Sequence, residues 1–300
     1  MRILIAFCTL CLLSARTNGQ LQQIGVVPTF TGPAIETIHG PHIAMVDPSA
    51  KPLHRLLVMI AGTNGAARSN LIFDSLAASL GYYVISLDYK NTVITTVCSN
   101  STNNKCFDQF RQEIIFGEPV SAEVDVDTAN SILNRLYRAI LVLQQQHPDQ
   151  HWNEFLIDGS INWEKVVVAG HSQGAGHAAY LAQHFPVQRA LIFAGPQDYL
   201  AYFNTPAGWL SGNSKTPASS YFAFLHTRDP FDFNKQLANC LVLMKKKKPN
   251  SKHVYPGKKV EDHPQILITD IETTNAHGSM LQSEFMAQWR YLLALPSANN

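Results

Sequence analysis

Charge imbalance is missing from this chain. Across 300 residues, 23 Lys and Arg stand against 22 Asp and Glu, a formal charge of +1. Without an excess of positive charge, the broad electrostatic attraction that nucleic-acid binding rests on is excluded. Long hydrophobic runs are also scarce. The apolar run from Ile3 to Leu13 falls well short of the roughly 20 residues a membrane-spanning helix needs, and no later stretch qualifies, so no transmembrane segment is expected. Internal repeats and low-complexity linkers are absent. What is present is apolar material, 46% of the residues, enough for a large core and too much for a disordered chain.

The first nineteen residues read as a secretory signal peptide: Met1-Arg2, the apolar run, then small and polar residues ending at Gly19. Cleavage near Gly19 and Gln20 is expected to leave residues 20–300 as one domain, in a secreted or lumenal compartment. It removes Arg2 and Arg16 and no acid, so the charge becomes about −1. Cys8 and Cys11 leave with the peptide, and Cys98, Cys106 and Cys240 remain. In an oxidising compartment Cys98 and Cys106, framing "CSNSTNNKC", are expected to form a local disulfide. Asn100-Ser101-Thr102 inside that ring is the chain's only N-x-[ST] sequon and marks Asn100 as a glycosylation candidate. Cys240, in the apolar "LANCLVLM", reads as a buried free thiol.

Six short apolar runs recur along the chain: "LLVMIAG", "YYVISLDY", "KVVVAG", "RALIFAG", "YFAFLHT" and "QILITDI". Their lack of alternation suits parallel strands buried on both faces. Helical patterns lie between them, at Asn70 to Leu80, at Asp127 to Gln146 with Asp127 as a capping residue, and at Ser279 to Leu293. This order predicts an α/β class fold, a doubly wound and mostly parallel sheet with helices on both faces. The N-terminal pieces "IGVV" and "HIAMV" are expected as an antiparallel edge. The stretches 92–126 and 199–220 follow strands, and in open α/β sheets ligands sit outside the carboxyl ends of strands.

"VVVAGHSQGAG" contains Gly170-His171-Ser172-Gln173-Gly174, a G-x-S-x-G pattern between a strand and a helix. A serine on such a turn is lifted above the sheet, and the glycines remove side chains that would collide there. A competing pattern, G-x-G-x-x-A from Gly174 to Ala179, with Asp198 at the spacing of a ribose-binding acid, fails on placement. It lies inside the helix and not at the turn.

A serine hydroxyl is a poor nucleophile at neutral pH. It needs a histidine to take its proton and an acid to orient that histidine. On this fold the order is serine, acid, histidine. "YFAFLHTRDPFD" supplies Asp229 after a strand end, with Asp232 and the earlier Asp198 as alternatives. "QILITDIETTNAHGSM" supplies His277, set against His171, His177, His226 and His263. The oxyanion donors are expected at the Gln173 amide and in Gly62-Thr63-Asn64-Gly65, at Thr63 or its neighbour Asn64.

These residues resemble the α/β-hydrolase superfamily, from about Leu56 to the last helix. "GTNG", the paired cysteines with "CFDQFRQEIIFG", "GHSQGAGHAAYLA" and "FAGPQD" are similar to a poorly characterised secreted subgroup. The resemblance implies a serine hydrolase with Ser172, Asp229 and His277 at matching positions and no metal or organic cofactor. It departs from the superfamily where the oxyanion loop reads Ala-Gly-Thr-Asn, which leaves the donor open. "HTRDP" is also one residue shorter to its acid than usual, which keeps Asp232 and Asp198 in play.

The expected activity is cleavage of carboxylic esters through an acyl-serine, the partner being a small-molecule or lipid ester. Acyl transfer by the same residues, or an inactive hydrolase fold serving as a binding protein, are the alternatives. In "YLAYFNTPAGWL", Phe203 and Trp209, with Tyr199 and Tyr202, are candidates to wall an apolar acyl pocket, although such aromatics also form a loop's own small core. The lysines at 245–248, 252, 258 and 259 read as a solvated loop.

Overall fold

The structure, a computed structural model, describes residues 20–294; the expected signal peptide lies outside the described residues. Nine strands form the main sheet: β1 Gln22–Val26, β2 His42–Val46, β3 Leu56–Ile60, β4 Tyr83–Leu87, β5 Val166–His171, β6 Arg189–Phe193, β7 Tyr221–His226, β8 Ser251–His253 and β9 Ile266–Thr269. Their order across the sheet is β1-β2-β4-β3-β5-β6-β7-β9-β8. The pairs β1/β2 and β2/β4 are antiparallel, and the remaining neighbours are parallel. The six apolar runs are the six central parallel strands, and the two N-terminal pieces are the antiparallel edge.

Alternate residues of β3 explain why those runs lack alternation. Leu56, Val58 and Ile60 join one apolar cluster and Leu57 and Met59 join another, on opposite faces of the sheet. Six helices of eight or more residues cover the two faces among the described residues: α1 Leu71–Ser79, α2 Cys106–Phe116, α3 Ile132–Gln146, α4 Gln173–His184, α5 Phe233–Leu243 and α6 Met286–Leu293. Apolar side chains of α2 to α5 lie in the first cluster, those of α1 and α6 in the second. This is a doubly wound α/β architecture.

Local chemistry moves several boundaries. The cap of α3 is Ser131, whose hydroxyl accepts from Asn134 N at 3.2 Å. Asp127 instead closes the preceding turn by accepting from Asn130 N at 2.9 Å. The last helix starts at Met286, not Ser279. Two 3₁₀ turns, Ser279–Leu281 and Ser283–Phe285, come first and are separated by Gln282 in an extended conformation. Helix α2 was hidden within an apparent loop because Arg111 and Glu113 share its buried face with Phe107, Phe110 and Ile114. Strand β8 is a short polar edge strand without an apolar signature.

Candidate active site

Ser172 sits between the end of β5 and the start of α4 with φ 57° and ψ −118°. Positive φ in a residue with a Cβ stores backbone strain. The surroundings hold it there: Ser172 N donates to Phe193 O on the neighbouring β6 at 2.9 Å, and Ser172 O accepts from Ala175 N at 3.0 Å. Both glycines of the pattern answer to space. A Cβ on Gly170 would strike the Gly174 carbonyl, and one on Gly174 would strike the Ile60 carbonyl of β3.

Asp229 follows β7, and His277 lies in the loop between β9 and α6. His277 Nδ1 is 2.8 Å from Asp229 Oδ2. The Asp229 carboxylate is inaccessible and His277 only 18% exposed. A carboxylate can only accept, so Nδ1 carries the proton and neutral His277 presents a bare Nε2. Burial by itself would raise the Asp229 pKa. The hydrogen bonds from His277 and from the Phe231 amide outweigh it and hold the carboxyl below its ordinary value. That amide donates to Asp229 Oδ1 at 2.8 Å.

Ser172 and His277 line one cavity of about 280 Å³ together with Thr63. Above Ser172, the Asn91 amide donates to Gly62 O at 2.8 Å and to Gly65 O at 2.9 Å, bracing the glycine loop. Thr63 Oγ1 donates to Gln173 Oε1 at 2.7 Å and ties that loop to the first residue of α4. Within the loop, Asn64 N is occupied by Asn91 O at 3.1 Å and Gly65 N by Gly62 O at 2.9 Å. The Thr63 and Gln173 amides have no acceptor among the described residues, and the Gln173 amide stands at the positive end of the α4 dipole.

The competing acids and bases are engaged elsewhere. Asp232 caps α5 through Asn234 N at 3.1 Å and Lys235 N at 3.3 Å. Asp198 is paired with Arg111, its Oδ1 2.6 Å from Nη2 and its Oδ2 3.0 Å from Nε, and it also accepts from Trp209 Nε1 at 2.9 Å. His226 is bound through Nε2 to Ile271 O at 3.1 Å, while its Nδ1 accepts from Arg228 N at 3.0 Å. His177 is enclosed between Tyr89 and Phe110, and His263 is exposed.

His171 has a different place from the one its sequence position suggests. Its Nε2 donates to His277 O at 2.8 Å and it lines the cavity. Burial, followed by the neighbouring His277, pushes its pKa down to about 4, so it is a neutral brace for the His277 loop.

Trp209 and Phe203 do not line this cavity. Trp209 spends its indole N–H on Asp198, and with Tyr180 it lines a separate cavity. Phe203 borders another hollow beside Leu200 and Val242. Trp209 instead packs against Tyr180 of α4, and Tyr202 and Phe203 are exposed, so neither candidate walls the space at Ser172.

Sequence reasoning passed over Gln197. It is buried, and its Nε2 donates to Ser172 Oγ at 3.1 Å. Its one signal is topological, since "GPQD" follows β6, the strand beside the nucleophile's own.

Cys98 and Cys106 form a disulfide, Asn100 is exposed, and Cys240 is a buried free thiol. Burial pushes the Cys240 thiol up to about 12. No described helix is long and apolar enough to cross a membrane.

No family model matches the chain, and no curated protein matches it. Among solved structures it is similar to a bacterial heroin esterase, at 14% identity and a TM-score of 0.45, over 92% of this chain and 83% of that one.

Proposed function

We propose that this chain is a serine hydrolase that cleaves carboxylic esters through an acyl-serine intermediate. One observation carries the reading: a strained, buried serine at a strand-to-helix turn shares a cavity with a histidine whose far nitrogen is held by a buried carboxylate. A structural serine or a loop histidine has no need of that convergence.

In the proposed cycle, Ser172 Oγ attacks the ester carbonyl carbon as its proton passes to His277 Nε2. The carbonyl π electrons move onto oxygen, which the Thr63 and Gln173 amides receive. Collapse re-forms the carbonyl and breaks the bond to the alkoxy group, which leaves with the proton from His277. Water then attacks the acyl-serine, gives its proton to His277, and collapse returns that proton to Ser172 while releasing the acid. Asp229 keeps its charge throughout and stabilises the imidazolium. Gln197 can only donate to Oγ through its amide nitrogen, so it occupies a lone pair and leaves the serine proton free to face His277.

Fluorophosphonate labelling tests the reading. The wild-type protein is expected to take up one label, at Ser172, and Ser172→Ala and His277→Ala are expected to take up none. A folded wild-type protein that stays unlabelled would overturn it.

Secretion belongs to the same proposal, supported by the Cys98–Cys106 disulfide and the exposed sequon at Asn100. Peptide mass mapping of protein from a eukaryotic secretory host should find the mature N-terminus near Gln20 and a glycan on Asn100.

A further inference from the structure

The catalytic cavity contains two polar side chains that the proposed chemistry does not use. Asn70 is only 8% exposed, yet its side chain does not cap α1 and has no hydrogen-bond partner among the described residues. Unlike Asn239 Oδ1 or Gln236, which are sealed in the interior, its polar atoms are not closed off, and the residue lines the cavity. Ser69, which is exposed, lies beside it on the same wall, its hydroxyl without a partner among the described residues. A nearly buried amide with no partner is costly unless a ligand or solvent satisfies it.

The rest of the wall limits what that ligand is. Ile94 and Phe231 are the cavity's aliphatic and phenyl side chains, and Phe231 is already packed 4.6 Å from the His277 ring. A long acyl chain laid along this wall would find only Ile94 and Phe231 to bury against and would leave Asn70 unpaired. An amide and a hydroxyl side by side each donate and accept, which matches adjacent hydroxyl groups.

We propose that Ser69 and Asn70 form a polar subsite for hydroxyl groups of the substrate, so that the enzyme's substrate class is a short acyl ester bearing hydroxyls, foremost an acetyl ester of a carbohydrate. This rests on the serine hydrolase reading. The same hydroxyls could also be carried on the acyl side, as in an ester of a short hydroxy acid.

The test compares kcat/KM for four probes: an acetylated methyl glucoside, ethyl lactate, p-nitrophenyl acetate and p-nitrophenyl decanoate. Wild type is expected to prefer acetate over decanoate. Asn70→Ala is expected to lower the ratio of glucoside acetate to p-nitrophenyl acetate by about 10-fold or more, the usual effect of losing a partner to a substrate hydroxyl. Asn70→Ser, still polar, should recover part of that ratio. If the lactate ratio falls instead, the subsite stands and reads the acyl side.

A ratio that stays fixed for both hydroxylated probes would overturn the subsite, because damage to the fold slows every ester alike. A wild-type preference for decanoate would overturn it too. Fluorophosphonate labelling separates the two levels of failure: a labelled enzyme with an unchanged ratio loses only the subsite, and an unlabelled one loses the hydrolase reading as well.

Discussion

Asp229 and Asp232 are three positions apart and chemically identical, and their surroundings give them different work. Asp229→Asn keeps the shape of the carboxylate but removes the charge that fixes the His277 tautomer, so kcat/KM should fall on the order of 10³- to 10⁴-fold. Asp232→Ala should leave kcat/KM near wild type and lower stability by about 1 kcal/mol through loss of the α5 cap, measured by urea unfolding. The reverse pattern would make Asp232 the acid. The order serine, acid, histidine was readable because each residue follows a recognisable strand. Gln197 was not, since an amide carries no motif and meets Ser172 only through the adjacency of β5 and β6. Its removal in Gln197→Ala should cost kcat about 10-fold by freeing the hydroxyl to turn away from His277, with KM little changed.

The nucleophile helix is held from behind by another element. Arg111 of α2 is fully buried, pairs with Asp198 beyond β6, and donates from Nη1 to Gln173 O at 2.7 Å. Gly176 makes the room, because a Cβ there would collide with the guanidinium. The glycine pair of "HSQGAG" thus serves close packing: Gly174 against β3 and Gly176 against Arg111. That role was legible only as a need for small residues, because the partner sits about sixty positions earlier in a helix whose charged residues mask its apolar stripe. Breaking a buried pair by removing one member leaves an uncompensated charge, so Arg111→Met is expected to cost about 3–5 kcal/mol. Arg111→Met with Asp198→Leu should recover much of it. Both are read by denaturant unfolding, and a double variant no better than the single would show that the guanidinium's bond to Gln173 matters more than its charge partner. The disulfide at Cys106 anchors the first residue of the same helix. By loop-closure entropy, Cys98→Ser with Cys106→Ser should cost about 2.5 kcal/mol.

On the scale of the whole molecule, neutral buried histidines set the response to acid. His42, His171 and His177 are each depressed by burial, with a second contribution from Arg135, His277 and Arg111 respectively: His42 to about 3, His171 to about 4 and His177 well below its ordinary value. Between pH 6.5 and 4 the unfolded chain takes up protons at these three positions while the folded chain does not, so stability falls as pH falls. Asp74 opposes them. Burial, partly offset by the hydroxyl of Ser86, raises it to about 7, so the folded chain keeps a proton that the unfolded chain has lost across the same window. Three groups outweigh one, and near pH 5 the net difference approaches two protons, a slope of at most about 3 kcal/mol per pH unit. Urea midpoints taken from pH 7 to pH 4 should therefore decline steadily, before the low-pKa carboxylates such as Asp229 begin to titrate. His42 is remote from Ser172, so His42→Asn should flatten the decline by about half without shifting the pH profile of kcat/KM. Stability that held constant or rose on acidification would mean that these imidazoles take up protons inside the fold. His171 would then place a positive charge against the His277 loop, and activity would be lost before structure.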